Sequence, residues 1–501
     1  MYSKEADYKI LEKFKGEKLH GTEYVPLFPY FKERKADGCF KVYSADYVTS
    51  DAGTGVVHCA PGFGAEDYDV CVKYGIIKPD SPPVPLDAHG YFTKEVSHFE
   101  GKYIKDKETE RGLIKMIKES GRLFHETQFK HSYPLCWRSD TPLIYKAVSS
   151  WFIKVTDIKE NLLANNEKAY WVPDFAKEGR FKNWLTSATD WCFSRNRFWG
   201  NPIPLWVSDD FEERVCVGSV KELMELTGVT DIKDLHRESI DHLTIPSKQG
   251  KGVLRRIEEV FDCWFESGSM PYASFHYPFS TSEEEFKKIF PADFIGEGLD
   301  QTRGWFYTLN VISTAIKNDT PYKNLIVNGI VLAADGKKMS KRLKNYPDPA
   351  ILINETGADA IRLYLMNSPL TRAESLNFNK EGVLAVIRDV FLPWYNGYRF
   401  LIQNITRWET VNQKAFVFDE NLKYSKDRIK NIMDKWIIAA NQNLIKNVRK
   451  EMDAYKLFNV TPKLLHFLED LTNWYIKLNR SRIRGDETDE DWVVSLNVLF
   501  D

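Results

Sequence analysis

A lysine-rich loop follows a strongly apolar run in the second half of the chain. Residues 325–332 (LIVNGIVL) predict a buried strand of a parallel sheet, and residues 333–336 predict the turn that leaves it. Residues 337–342 (KKMSKR) then place four cations close together at the strand's carboxyl end, where open α/β sheets bind their ligands. Such a cluster suits a polyphosphate, because positioned cations stabilise the negative charge of a reacting phosphoryl group. A solvated lysine-rich turn is the alternative that this loop alone leaves open.

A second group of polar and aromatic residues lies at the preceding strand-to-helix connection. Residues 293–298 predict a short strand, and Trp305 opens an apolar helical face that repeats at i+4, i+7 and i+11. With the run at 325–332, this order predicts a right-handed βαβ unit. Glu297, Asp300 and Gln301 then lie at the carboxyl end of the strand, where Gly298 permits close approach of a ligand. A helix N-cap provided by Asp300 is the structural alternative.

A third candidate lies near the amino terminus, in residues 51–68 (DAGTGVVHCAPGFGAEDY). Its glycines and prolines predict tight turns beside the polar side chains of His58 and Asp67, and such loops often carry binding chemistry. The structural alternative is a turn with a hydrogen-bonded histidine and a helix-capping aspartate.

Composition places these residues in an ordinary globular chain. The 501 residues predict about three domains, with 43% hydrophobic residues and a net charge of −2 at pH 7. This charge does not by itself indicate an RNA partner, so any RNA contact must use local basic patches. The seven cysteines include no CxxC pair and fit a reducing compartment. No apolar run is long enough to span a bilayer, and the first residues contain no signal-peptide core.

The loop at 337–342 resembles the KMSKS signature of class I aminoacyl-tRNA synthetases. Lys338, Met339, Ser340 and Lys341 match it, and Arg342 replaces the last serine. The resemblance implies that Lys338, Ser340 and Lys341 bind ATP, and that the two lysines steady the phosphates while an amino-acid carboxylate attacks the α-phosphate. The ending KR followed by NYPDP is similar to the isoleucyl-tRNA synthetase family of the eukaryotic cytosolic type.

Three further blocks extend the resemblance. Residues 262–269 (DCWFESGS) are similar to the DxWFxSG block, and residues 297–306 (EGLDQTRGWF) to the EGxDQxRGWF block. The family would then use Trp264 and Trp305 as the walls of the isoleucine side-chain pocket, which suits a branched aliphatic chain. The resemblance also places Glu297, Gly298, Asp300 and Gln301 on the aminoacyl-adenylate. Residues 190–204 (DWCFSRNRFWGNPIP) resemble the WCISRQRxWGxPIP block.

The stretch at 51–68 resembles the editing domain of the same family. By this resemblance, Asp67 holds the ammonium group of a mischarged amino acid, and His58 limits the pocket and helps to position the ester and its attacking water. Editing is needed because one methylene gives only about 1–3 kcal/mol of discrimination, a value for which this family is a standard example. The threonine-rich TTPWT-type segment of the editing pocket is not found in the chain.

The carboxyl-terminal region shows helical patterning with a basic cluster. Arg480, Arg482 and Arg484 follow a segment (DLTNWYIKLNR) that resembles the anticodon-binding helical bundle of the family. The resemblance predicts contacts with tRNA phosphates. The structural alternative is that these arginines are exposed and interact favourably with the dipole at the end of a helix.

The fold class predicted from the resemblance is α/β. It combines a partial class I nucleotide-binding (Rossmann-like) sheet with a partial β-rich editing insert and a C-terminal α-helical bundle. We expect three regions: the C-terminal part of the editing insert at 1–145, the second half of the catalytic domain at 146–370, and the start of the anticodon-binding domain at 371–501. Because no HxGH sequence occurs, we expect a fragment that lacks the N-terminal HxGH region and the C-terminal end and does not form adenylate alone.

The predicted function is isoleucine–tRNA ligation with editing of Val-tRNA(Ile). ATP with Mg²⁺, isoleucine and tRNA(Ile) are the predicted substrates and partners, in the cytoplasm and without a membrane, and membership of a multi-synthetase complex stays open. No zinc is predicted, since Ser139 stands where a second cysteine would complete the CWRC pattern that begins at Cys136. The alternatives are a valyl-tRNA synthetase and a non-catalytic tRNA-binding or trans-editing fragment.

Overall fold

The computed structural model describes residues 11–49, 54–79, 81–128, 130–136, 139–196, 199–340 and 344–501. The chain divides into two compact units, Met1–Ser150 and Trp151–Asp501. Lys341 and Arg342, which belong to the predicted phosphate-binding loop, lie outside the described residues.

The first unit is built from short helices and turns. Its helices are α1 (Ala65–Lys73) and α2 (Lys107–Glu119), with 3-10 segments at Gly16–Leu19, Lys32–Asp37 and Lys94–Phe99. Helix α2 begins where Asp106 accepts a hydrogen bond from the Glu108 amide, as an N-cap aspartate does. A small core forms around Cys71, Ile76 and Ile77 at the end of α1.

The expected β-rich character of this unit is not seen in its described part. Strand-like runs there form four isolated antiparallel bridges, without a multi-residue strand: Glu23–Lys41, Leu86–Phe92, Tyr91–Tyr103 and Leu135–Pro142. Short extended runs are marginal without further strands to pair with, and the frequent Gly, Pro and Asp turns interrupt each run before a ladder forms.

The second unit alternates strands and helices before it becomes helical. Its first part contains β1 (Phe152–Ile153), α3 (Val155–Lys168), β2 (Tyr170–Val172), α4 (Lys182–Thr186), β3 (Trp191–Cys192) and β4 (Ser194–Arg195). A small inserted region follows, with β5 (Leu205–Val207), β6 (Arg214–Cys216), α5 (Val220–Thr227), α6 (Arg237–Ile240), β7 (Thr244–Pro246), β8 (Val253–Arg256) and β9 (Val260–Phe261). Strands β5 to β8 form an antiparallel sheet in the order β6-β5-β8-β7.

The predicted βαβ unit lies in the next part of the chain. Its elements are α7 (Cys263–Gly268), α8 (Met270–Ala273), α9 (Glu283–Ile289), β10 (Ala292–Gly298), α10 (Trp305–Lys317), β11 (Tyr322–Asn328) and β12 (Val331–Leu332). Strands β10, β11 and β2 form a parallel sheet in the order β10-β11-β2. Helix α10 is buried over most of its length and packs with Trp171, Phe181 and Leu325 in one core. The expectation of an α/β fold with a parallel sheet is therefore confirmed.

The apolar run at 325–332 is not one continuous strand. It breaks at Gly329, where an added Cβ would lie 1.7 Å from the carbonyl oxygen of Glu374. Beyond the break, β12 pairs in parallel with β13 (Leu376–Asn377), outside the β10-β11-β2 sheet. The run was predicted as one strand because the approach of Glu374 is a tertiary contact that no local pattern reveals.

The remaining elements are helical. They are α11 (Pro349–Thr356), α12 (Ala358–Met366), α13 (Lys380–Val386), α14 (Leu392–Asn412), α15 (Ile432–Asp453), α16 (Leu457–Glu469), α17 (Arg480–Arg484) and α18 (Asp489–Phe500), with π-helical turns at Ile387–Phe391 and Asp470–Ile476. A core around Tyr475, Ile483 and Leu496 joins α14 to α18, and Leu352, Ala360 and Val383 form a separate core between α11, α12 and α13. Among the residues that the structure describes, no helix has both the length and the apolar character to cross a membrane.

Candidate functional site

The two tryptophans predicted to form a pocket meet where α7 packs on α10. An added Cβ at Gly268 would lie 3.0 Å from the backbone of Thr308, so the two helices are in direct backbone contact. The indole of Trp264 lies against Gly304, the residue just before Trp305, at 3.3 Å from its ideal Cβ position. Trp305 donates its indole N–H to the Ser267 carbonyl at 2.9 Å, which fixes the ring's orientation. The structure therefore brings both indoles to one helix junction.

Trp264 is held in place by a buried carboxylate that sequence reasoning did not single out. Asp262 caps α7 by accepting the Trp264 amide at 3.2 Å. Its other oxygen accepts the Arg195 guanidinium at 2.8 Å and the Trp191 indole N–H at 3.3 Å. Asp262 is buried while Trp264 remains 39% exposed, so the anchor is interior and the ring faces outward. An aspartate directly before a helical segment was the available signal.

The acidic residues lie at the carboxyl end of β10, as expected. Gly298 pairs in register with Asn328 of β11, and Glu297 and Asp300 are exposed. Gln301 accepts the Trp305 amide at 3.0 Å and donates to Asp300 at 3.2 Å. Gln301, rather than Asp300, is thus the residue that satisfies the first amide of α10. The Asp300 carboxylate keeps acceptor capacity for a ligand, because a carboxylate has about four lone-pair positions.

The lysine-rich loop is shaped by backbone turns and one asparagine. The Ala333 amide donates to the Lys337 carbonyl at 2.9 Å, and Lys338 forms an isolated bridge with Leu332. Asn345 then ties the loop together, since it accepts the Ser340 amide at 2.9 Å and donates to the Lys338 carbonyl at 3.1 Å.

The cations of this loop differ in their availability. Lys337 pairs with Asp335 at 3.0 Å, whereas Lys338 is exposed and has no ion pair within the described part of the chain. Lys338 is therefore the described lysine of the loop that can reach an anion. Lys341, predicted for the same role, lies outside the described residues.

The predicted editing residues lie in the first unit, at the start of α1. The Asp67 carboxylate accepts the Ala60 amide at 2.9 Å and the Tyr47 hydroxyl at 2.7 Å, which folds the turn back onto the helix. Burial and this hydrogen bond raise the pKa of Tyr47 above its ordinary value, so Tyr47 stays a donor at neutral pH. His58 is exposed in the turn just before Ala60. Asp67 is therefore a turn-forming residue whose carboxylate remains partly accessible.

The three arginines predicted to contact tRNA have different environments. Arg480 and Arg484 are exposed, but Arg482 is buried at 4% relative exposure. Its guanidinium binds Asp434 at 2.8 Å and Asp491 at 2.7 Å. Burial lowers the pKa of Arg482, but hydrogen bonds to the two carboxylates outweigh it and raise that pKa above its ordinary value. Arg482 is therefore a structural residue, and the prediction of a phosphate contact is revised to Arg480 and Arg484.

Comparison with known families assigns most of the chain to two family models. Residues 46–377 match the family model for tRNA synthetases class I (I, L, M and V), and residues 434–501 match the anticodon-binding domain of tRNA ligase. Since the first match covers more than half of the chain, the chain belongs to the class I tRNA synthetases.

Individual relatives narrow the similarity to one group of ligases. The chain is 66% identical over 501 residues to an isoleucine–tRNA ligase of Tetrahymena thermophila, with 100% of the chain and 46% of the relative covered. It is 56% identical to the cytoplasmic isoleucine–tRNA ligase of Mus musculus, with 100% of the chain and 39% of the relative covered. It is also 56% identical to the cytoplasmic isoleucine–tRNA ligase of Saccharomyces cerevisiae, with 99% of the chain and 46% of the relative covered. The chain thus spans less than half the length of these relatives.

Solved structures support the fold. A methionyl-tRNA synthetase of Mycobacterium tuberculosis bound by methionyl-adenylate aligns with a TM-score of 0.50 at 17% identity, covering 75% of this chain and 62% of that chain. At this identity the likeness establishes a shared fold.

Proposed function

We propose that this chain carries part of a cytoplasmic isoleucine–tRNA ligase. The whole reaction is the ATP-dependent activation of isoleucine, its transfer to tRNA(Ile), and hydrolytic editing of Val-tRNA(Ile). The observation that supports this most is the α7–α10 junction, where Trp264 and Trp305 lie beside the acidic end of β10. The names of the relatives support the choice of isoleucine.

The proposed pocket binds the substrate through shape and charge. Flat indoles give a branched aliphatic side chain a large contact area at low entropic cost, and the hydrogen bond from Trp305 to Ser267 keeps one wall rigid. Asp300 and Glu297 are placed to bind an ammonium group or ribose hydroxyls, since both carboxylates are exposed at the strand end. Trp264 and Trp305 thus select the side chain, and the carboxylates orient the polar end.

Activation joins isoleucine to AMP. A carboxylate oxygen of isoleucine attacks the α-phosphorus of ATP, a new P–O bond forms, and the bond to pyrophosphate breaks. Negative charge grows on the leaving pyrophosphate, and the unpaired ammonium of Lys338 can stabilise it. Lys341 is proposed for the same role from its position in the sequence motif. The described residues contain no group of three or more His, Cys, Asp or Glu that could hold a metal, so we assign no protein ligand to Mg²⁺.

The proposal is tested in a chimera, because the chain matches less than half of each relative. The corresponding segment of the Saccharomyces cerevisiae ligase is replaced by this chain, and isoleucine-dependent ATP–pyrophosphate exchange is measured. We expect exchange in the chimera and none from the chain alone. Trp264→Ala should raise KM for isoleucine at least tenfold, while Lys338→Ala should lower kcat at least tenfold. Trp199→Phe is the matched control, since Trp199 is 83% exposed and outside the junction.

The outcomes separate the alternatives. A folded chimera that exchanges with valine but not isoleucine indicates a valyl-tRNA synthetase. A folded chimera that binds tRNA without exchange indicates a tRNA-binding fragment and contradicts the proposal. Exchange that survives Trp264→Ala unchanged contradicts the proposed pocket.

For editing, we propose that Asp67 binds the ammonium group of a mischarged valine and that His58 helps to position the ester. The Asp67 carboxylate, which is only partly buried and is positioned by Tyr47 and the Ala60 amide, supports this assignment. In the chimera, Asp67→Ala should slow deacylation of Val-tRNA(Ile) at least tenfold and leave isoleucine activation unchanged. Glu66→Ala, an exposed neighbour on the same helical turn, is the matched control. Deacylation that is unaffected by Asp67→Ala contradicts the editing role.

A further inference from the structure

Two of the seven cysteines lie within contact distance in the turn that carries Asp67. The sulfur atoms of Cys59 and Cys71 are 3.6 Å apart, and both thiols are free. Cys59 is exposed in the turn after His58, whereas Cys71 is 5% exposed on α1, one helical turn beyond Asp67. Neither cysteine has a part in the proposed aminoacylation or editing chemistry.

The geometry allows the two sulfurs to bond. A disulfide requires a sulfur–sulfur distance of about 2.05 Å, so this pair must close by roughly 1.5 Å. Rotation of the exposed Cys59 side chain can supply that movement, because its other contact is a 3.6 Å hydrogen bond to the Asp67 carbonyl. Cys71 lies on a regular helix and does not need to shift its backbone.

The surroundings set the chemistry of the pair. A hydrogen bond from Cys59 lowers the pKa of the Cys71 thiol, and the same hydrogen bond and burial raise the pKa of Cys59. Cys71 is therefore the thiol of the pair that loses its proton more readily. Cys39 packs against the same small core and is the cysteine with which mispairing must be checked.

We propose that Cys59 and Cys71 are a redox modification site that forms a reversible disulfide by exchange with a small disulfide such as oxidised glutathione. The exposed Cys59 sulfur attacks one glutathione sulfur as its proton passes to the Cys71 thiolate, and the glutathione thiolate that is released takes this proton from Cys71. The Cys71 thiolate then attacks the Cys59 sulfur and releases the second. Two cysteines are oxidised, one glutathione disulfide is reduced to two thiols, and the two cysteine protons end on glutathione. Transient disulfides of this kind are the ones that reducing compartments allow.

The bond has a local consequence. It closes a ring that contains Asp67, and the Cys59 sulfur gives up its hydrogen bond to the Asp67 carbonyl. Oxidation should therefore change deacylation of Val-tRNA(Ile). This consequence rests on the proposed editing function, whereas formation of the bond does not.

Formation of the bond is tested on the chain itself. The folded chain is equilibrated with a series of reduced and oxidised glutathione ratios, blocked by alkylation, digested, and analysed by mass spectrometry. We expect a peptide pair linked through Cys59 and Cys71 that dithiothreitol removes. Cys216→Ser, an exposed cysteine on β6, is the matched control and should leave the linked peptide unchanged. Cys71→Ser should convert Cys59 into a stable glutathione adduct.

Several results would overturn the inference. A stable adduct at Cys59 in the unsubstituted chain, a Cys39–Cys71 link, or glutathione adducts at Cys216 with no Cys59–Cys71 link each contradict it. Hydrogen exchange of residues 65–73 gives a second readout, since the crosslink should slow exchange at least threefold when oxidised.

The functional consequence uses the chimera. Oxidation should change the deacylation rate at least fivefold, and Cys59→Ser, which removes the exposed thiol of the pair, should abolish that change. If the disulfide forms and deacylation is unaltered, the consequence is contradicted but the modification site stands. If the reduced chimera does not deacylate at all, the proposed editing function fails instead.

Discussion

Asp262 shows how one side chain can organise several others. It caps the helix that carries Trp264 and binds Arg195 and Trp191 with its second oxygen. Because Asp262 is buried and these groups come from three separate segments, its loss should be felt both in stability and in the position of the indole.

We expect Asp262→Ala to lower the free energy of unfolding by about 2 kcal/mol, since it removes an N-cap and leaves a charged and a neutral donor without their acceptor. Asp262→Asn keeps a capping oxygen and should cost less than about 1 kcal/mol, because Arg195 is partly solvated. Urea unfolding of both variants measures the difference. Equal losses in the two variants would contradict the capping role.

The arginine cluster offers a second matched comparison. Arg482→Ala leaves Asp434 buried without its cation and should cost about 3–5 kcal/mol. Arg480→Ala removes an exposed charge and should change stability by less than about 0.5 kcal/mol while weakening tRNA binding. Thermal unfolding and a salt series of tRNA affinity measure the two effects. Loss of affinity in a folded Arg482→Ala protein, with none in Arg480→Ala, would reverse the assignment.

These arginines also mark a limit of sequence-based prediction. The pattern of three basic residues near a helix end was visible, and so was the KMSK match of the lysine loop. The burial of Arg482 was not, because its partner Asp434 lies on α15, far away along the chain. Asp262 and Asn345 were likewise recognised only as letters of their motifs, since their hydrogen bonds to Arg195 and to the Ser340 amide form only in the folded chain.

At the scale of elements, glycine decides where the apolar run breaks. The sequence correctly predicted the strand, helix and strand of β10, α10 and β11, because their periodicity is local. The break at Gly329 depends on the close approach of Glu374 and could not be predicted from the run itself. The same reasoning applies to the first unit, where strand-like segments were recognised but their lack of partner strands in the described residues was not.

We expect Gly329→Ala to lower the free energy of unfolding by about 3 kcal/mol, because the new methyl group meets backbone that cannot move aside. Gly179→Ala is the matched control, since nothing lies within 4 Å of its ideal Cβ position. It should be neutral or slightly stabilising, as alanine favours helical conformations. Denaturant unfolding measures the stabilities of the two variants. Similar stabilities would show that the contact between Gly329 and the Glu374 backbone leaves room for a methyl group.

The inserted antiparallel sheet should have its own pH dependence. Burial raises the pKa of Asp241, but hydrogen bonds from Arg256 and Arg237 outweigh it, so the pKa lies below its ordinary value. The carboxylate therefore contributes stability above the unfolded pKa of about 3.9, and this contribution is lost as the pH falls toward the lower folded pKa. Asp241→Asn should remove that part of the acid dependence. Urea unfolding between pH 6 and 3 measures the free energy of unfolding of both proteins. An identical pH dependence in the variant would contradict the assignment.

At the scale of the molecule, the chain consists of two compact units that meet in sequence at Ser150 and Trp151. Units with their own cores can fold separately when few contacts join them. We expect residues 151–501 expressed alone to unfold at the same temperature as the corresponding transition of the whole chain. Calorimetry checks this, and a shift of more than about 5 °C, roughly 1 kcal/mol, would show that the units stabilise each other.

Strand β10 pairs with β11 on one side only, among the residues that the structure describes. One edge of its seven residues thus has no partner strand among the described residues, and the half-exposed ring of Phe294 lies on the same strand. An edge strand with unpaired backbone groups can pair with a strand of another copy of the chain, so self-association through β10 should increase with protein concentration. The solubility of the purified protein should therefore be limited by pairing at the edge of β10 rather than by the net charge of the chain.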